Sequence, residues 1–230
     1  MPILSKDNKK VLFIHIPKCA GTSITETFES NGWQVDWMNY PARDNVPDIL
    51  PCNPQHYHIP LIEKYIDVNI DVEFTITRHP WKKLISEYFW SEPGIARHTK
   101  EFDDNFYYNF EPYMVARMSE YVVAENYFTV KPEVFYKREI RFPFDNHMRP
   151  QVDFIRESTK VFDLSKFSKI EKFLHSEFNI KGIKETNKSK NELSLPLTTE
   201  YNFSDRFKDL YMTLYEEDHK KLDYELPFKE

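Results

Sequence analysis

Four glycines and two cysteines in 230 residues, a formal charge of −6, and no long uninterrupted apolar run are the first features of this chain. Two cysteines, Cys19 and Cys52, are too few for a disulfide framework, so a reducing compartment is expected. A net negative charge disfavours wrapping of nucleic acid, which depends on a basic face that releases counterions. No segment approaches the roughly 20 apolar residues needed to span a bilayer, and the opening "MPILSKDNKK" lacks the pattern of a signal peptide. These absences together predict a soluble cytoplasmic protein with no membrane span.

What is present is the composition of a globular domain: 40% of all residues are hydrophobic and 16% of all residues are aromatic, with fifteen prolines as punctuation. A chain of this length holds one sizeable core, so a single domain over 1–230 is expected. "VLFIHI" (Val11 to Ile16) has the continuous apolar character of a strand buried on both faces, and Pro17 ends it. "TSITETFES" places Ile24 and Phe28 four apart, predicting a helix capped by Thr22 or Ser23. "VEFTIT" (Val72 to Thr77) is a second strand, and Pro80 opens the helix of "WKKLISEYFW".

Residues 39–60 carry five prolines and predict an irregular loop, followed by a short helix at "LIEKYI". The aromatic, acidic stretch 91–150 reads mostly as helix and is expected on the acceptor side of any site. A strand at Val161 to Leu164, a helix carrying Phe167, Ile170 and Leu174, a polar loop, and a last helix over about Ser204 to Leu222 complete the reading. Strands alternating with helices predict an α/β fold, a three-layer α/β/α arrangement around a mainly parallel sheet.

The segment "IPKCAGTS" carries the chemistry. A strand that empties into small residues and a helix N-terminus gathers backbone N–H groups and the positive end of a helix dipole, which suits an anion. The nucleotide-triphosphate loop pattern G-x-x-x-x-G-K-[ST] is absent: Lys18 precedes Gly21 by three residues, and no Asp-rich strand end marks a magnesium site. A nucleotide with fewer phosphate charges needs no metal. A P-loop kinase or nucleotidase, and a non-catalytic nucleotide-binding module, are the alternative readings.

"FIHIPKCAGTS" resembles the phosphosulfate-binding loop of sulfotransferases of the carbohydrate type, the branch that includes heparan sulfate 2-O-sulfotransferase and bacterial relatives. "TITRHPWKKLISEYFW" resembles that family's second motif, an arginine at a strand end followed by a serine eight residues on. "HMRPQVDFI" and "YEEDHKKLDY" resemble two further segments, so the likeness runs over about residues 11–224. The resemblance implies a P-loop-like α/β fold and the cofactor 3′-phosphoadenosine 5′-phosphosulfate (PAPS), used without a metal. It implies that Lys18, Cys19, Ala20, Gly21, Thr22 and Ser23 hold the 5′-phosphosulfate and that Arg78 and Ser86 hold the 3′-phosphate. Asn187, Lys188 and Ser189 are implied on the adenosine side.

Sulfuryl transfer from PAPS to a hydroxyl of a glycan or small metabolite then uses Lys18 against charge on the leaving phosphate, with a histidine as base. His147 is favoured over His58, and His15 is expected to be buried on its strand. Cys19 reads as a small loop residue. Tyr107, Tyr108, Phe110 and Tyr113 form either a sugar-stacking wall or core. Lys181, Lys184, Lys188 and Lys190 read as a solvated face.

Overall fold

The computed structural model describes residues 2–36, 52–91, 105–130, 143–184 and 201–228. The chain forms two compact units. The first comprises Met1–Arg78, Ile140–His147 and Asp153–Asn187, the second His79–Glu139, Met148–Val152 and Lys188–Glu230.

The first unit is built on a five-stranded sheet. In chain order its strands are β1 (Ile3–Lys6), β2 (Lys9–Ile14), β3 (Gln34–Asp36), β4 (Val72–Thr77) and β5 (Lys160–Asp163), arranged spatially as β3-β1-β2-β4-β5. β2, β4 and β5 run parallel, while β1 pairs antiparallel with both β2 and β3. The sheet is therefore mixed, with its parallel strands on one side. In the antiparallel edge, Asp7 and Asn8 both take positive φ (47° and 65°) and close a tight hairpin between β1 and β2. Asn and Asp tolerate that conformation better than other non-glycine residues.

Helices α1 (Gly21–Ser30) and α2 (Ile59–Tyr65) belong to the same unit. Phe13 of β2, Phe74 and Ile76 of β4, and Ile24 and Phe28 of α1 form one cluster. Ile170, Phe173 and Leu174 join it from a later helix, numbered α5 below, at Phe167–Phe178. Leu12, Ile14 and Thr75, which point to the opposite face of the sheet, are also fully buried, so β2 and β4 are covered on both sides as their apolar runs predict. Glu73 of β4 is buried yet satisfied, gripped by the Arg156 guanidinium and by Thr159 Oγ1.

The second unit is helical: α3 (Pro80–Ser91), α4 (Asn105–Val130) and α6 (Asp205–Leu222), with the first-unit helix α5 between them in chain order. Trp81 is its fully buried hub, ringed by Phe110, Phe203, Phe207, Tyr211 and Phe228 at centroid distances of 5.4 to 6.4 Å. Phe110 is thus core. Tyr107 stacks on Tyr201, Tyr113 packs on Tyr88, and only Tyr108 of the four aromatics is widely exposed. Ser204 caps α6 by accepting from Phe207 N–H, matching the boundary expected from sequence.

Candidate anion loop and histidine cluster

β2 and β4 are neighbouring parallel strands, so the residues that follow them emerge at one edge of the sheet, where α/β folds hold ligands. Lys18 and Ala20 both adopt left-handed backbone, with φ of 66° and 64°. Left-handed residues of this kind are the ones from which anion-binding backbone concavities are built. Helix α1 begins at Gly21 with Ala20 as its N-cap and no capping side chain, which corrects the expected cap by Thr22 or Ser23. Thr22 is exposed in the first turn, and Cys19 is buried, its N–H donating to Ile16 O at 3.3 Å. The first-turn N–H groups of a helix have no i−4 partners within the helix, which is why helix N-termini suit anions.

Arg78 stands directly after β4 and donates from Nη1 to Lys18 O at 3.2 Å. The guanidinium is thereby tied to the loop, and two cationic residues implied by the resemblance meet in the first unit. Ser86 is buried on α3 in the second unit. Asn187, Lys188 and Ser189 lie outside the described residues. Lys184 is engaged elsewhere: its N–H donates to Thr27 Oγ1 at 2.8 Å and its ammonium pairs with Glu26 at 3.2 Å.

Beneath the loop lies a cluster of histidines. A Cβ on Gly21 would sit 1.9 Å from His15 Nε2, so the His15 ring packs directly on the Gly21 Cα. His15 stands 5.2 Å from His56, edge to face, and His56 stands 4.8 Å from His147, both measured between ring centroids. Asp145 completes the group. Its Oδ2 accepts from His56 Nδ1 at 2.8 Å and its Oδ1 from Asn53 N–H at 2.6 Å.

Burial pushes the His56 imidazole down to about 4, against the pull of Asp145, and pushes His15 well below the ordinary histidine value with help from the neighbouring His56. Burial also works to raise the Asp145 carboxyl, but His56 beside it holds the group below the usual carboxylate value. At neutral pH the pair is therefore a neutral imidazole donating to a carboxylate. Nδ1–H is committed to Asp145, so Nε2 is the basic nitrogen.

His147 joins this cluster, whereas His58 heads α2 and packs its ring at 6.3 Å from Phe154. His15, His56 and Asp145 were not singled out as site residues by sequence. "QHYH" offered two histidines of equal appearance, and only the fold separates them. Asp145, three residues before the conspicuous "MRPQ", carried no signal of its own.

The two more distant segments of the resemblance also meet each other, within the second unit. Asp218 accepts from Gln151 N, Gln151 Nε2 and Val152 N at 3.0, 3.2 and 2.9 Å, and Tyr215 Oη donates to Met148 O at 3.0 Å. Gln151 thus anchors the segment after His147.

No family model, no curated protein and no solved structure matches the chain. Among the described residues, no helix is long and apolar enough to cross a membrane.

Proposed function

We propose that the chain is a PAPS-dependent sulfotransferase acting on a hydroxyl of a glycan or small metabolite. The observation that carries this reading is the pairing of Arg78 with the left-handed Lys18 turn, which joins two sequence motifs at the C-terminal edge of parallel strands. Without a metal, cationic side chains and backbone N–H groups must supply the whole charge complement of the donor, and this loop has both.

In the proposed reaction the acceptor oxygen attacks sulfur in line, a new O–S bond forms, and the bond between sulfur and the phosphate oxygen breaks. The acceptor proton passes to a histidine, and the electron pair of the broken bond stays on the 5′-phosphate of 3′-phosphoadenosine 5′-phosphate. The backbone of Ala20 to Ser23 cradles the 5′ group, Lys18 offsets charge on the leaving oxygen, and Arg78 takes the 3′-phosphate. For the base the cluster favours the pair His147 and His56 over His58, because Asp145 holds His56 in one tautomer beside His147. Positioning and electrostatics supply most of the rate, as in phosphoryl transfer.

Calorimetric titration with 3′-phosphoadenosine 5′-phosphate, without magnesium, tests this reading. Binding that depends on the 3′-phosphate and weakens roughly 10- to 100-fold in Arg78→Ala, the value of one charge-assisted contact, is the expected result. Preference for ATP with magnesium, or no binding to either, overturns it.

A further inference from the structure

We propose that His56, Asp145 and His147 form a binding site for a divalent transition-metal ion of the zinc type. One ligand-bearing atom from each residue lies within 4.8 Å of the other two. The three come from two turns far apart in sequence, Pro54–His56 and Pro143–Asn146 with the residue after it, so the convergence is a product of folding.

A second observation points the same way. His15 Nδ1 is buried and has no hydrogen-bond partner among the described residues, and its ring lies 5.2 Å from that of His56. An unpaired buried imidazole nitrogen is costly, and a metal ion is one of the few partners a crowded histidine group can share. The ligand set of imidazoles with one carboxylate suits zinc, cobalt or nickel; magnesium and calcium call for oxygen ligands.

The geometry requires the ligand atoms to draw together, by up to about 1.5 Å for the widest pair. Four ligands at about 2.0 Å from a tetrahedral ion stand about 3.3 Å apart. The His56–Asp145 pair, now at 2.8 Å, opens slightly, and the widest pair closes. Asn53 N–H, which donates to Asp145 Oδ1, remains in place to orient the carboxylate from behind, as outer partners of metal ligands do. The Asp145 side chain keeps 21% of its surface exposed, which gives an ion a route from solvent.

The binding site itself does not depend on the sulfotransferase reading. One consequence does: an ion here would occupy the imidazoles assigned as base, so it would inhibit transfer.

The test uses the full chain, stripped with a chelator and titrated with Co²⁺ and then Zn²⁺. One equivalent of Co²⁺ giving the intense visible bands of a tetrahedral centre, displaced by one equivalent of Zn²⁺, is the expected result. Affinity should fall at least about tenfold in His147→Ala and in the near-isosteric Asp145→Asn, and be unchanged in His175→Ala, an exposed position on α5. No saturable binding, or binding indifferent to both His147→Ala and Asp145→Asn, overturns the proposal. Circular dichroism checks that each variant folds, and Asp145→Asn carries the test should His147→Ala fail to. Binding of 3′-phosphoadenosine 5′-phosphate to the stripped protein is measured in parallel, so failure of either reading is visible without the other.

Discussion

The His15 imidazole lies on the Cα of Gly21, so close that a methyl group there would come within 1.9 Å of Nε2. The glycine is needed for this approach and not for its backbone angle, since it is the first residue of α1. It is the point where the candidate anion loop rests on the histidine cluster.

Gly21→Ala should therefore destabilise the protein by about 1–3 kcal/mol, the usual cost of forcing a group into a packed interior. Urea denaturation of the single variant, and of Gly21→Ala combined with His15→Ala, measures it. Removal of the ring should recover part of the loss, giving a favourable coupling between the two sites. Additive effects would show that the ring is not what excludes the methyl.

Lys18 holds a left-handed φ of 66° that a side chain makes unfavourable by about 1–2 kcal/mol. Lys18→Gly relieves that strain, although glycine gives back about 0.5–1 kcal/mol through the unfolded chain. The variant should be as stable as the wild type or up to about 1 kcal/mol more stable, while losing the sulfuryl transfer proposed above. Thermal melts beside single-turnover kinetics check both halves. A variant that is clearly less stable would mean that the Lys18 side chain supports the fold.

Asp218→Ala removes the acceptor of three hydrogen bonds to Gln151 and Val152. Donors left unsatisfied in a buried setting cost about 1–3 kcal/mol each when nothing replaces the acceptor, and water entering the space recovers some of it. A fall in stability of about 2–4 kcal/mol is expected, read by denaturant titration. A loss below about 0.5 kcal/mol, the range of an ordinary surface change, contradicts the anchoring role.

Burial holds the His219 pKa below its ordinary value, while its Nδ1 donates to Tyr224 O at 3.1 Å and its Nε2 accepts from Tyr211 Oη at 2.9 Å. With the folded value depressed, the unfolded chain binds the proton more readily. The stability linked to this residue is present above the unfolded pKa of about 6.5 and is lost as pH falls through the folded value. Melting temperatures between pH 7.5 and 5 should fall more steeply for the wild type than for His219→Gln. Equal slopes would remove His219 from the pH response.

Much of the architecture was legible because its signals are local. The apolar run ending at Pro17, the Ser204 cap, and the spacing of Ile170 and Leu174 each mark an element through neighbouring residues, and β2, α6 and α5 follow. The N-cap of α1 lies two or three residues before the Thr22 or Ser23 expected from sequence, since side-chain capping is readable in sequence and an N-cap held by left-handed Ala20 is not. The β1–β2 hairpin turns on Asp7-Asn8, whose left-handed backbone belongs to the pairing of the two strands.

The sequence by itself determined that a lysine-bearing loop follows one buried strand and an arginine follows another. Only tertiary structure decided that Arg78 grips the loop at Lys18 O, sixty residues back. It also brought His56 beside His147 and paired it with Asp145, 89 residues away. The physical reason is the reach of each interaction. Helix periodicity and capping act across a turn or two and leave a pattern along the chain, whereas the partner of a buried imidazole is chosen by packing between remote segments and leaves none.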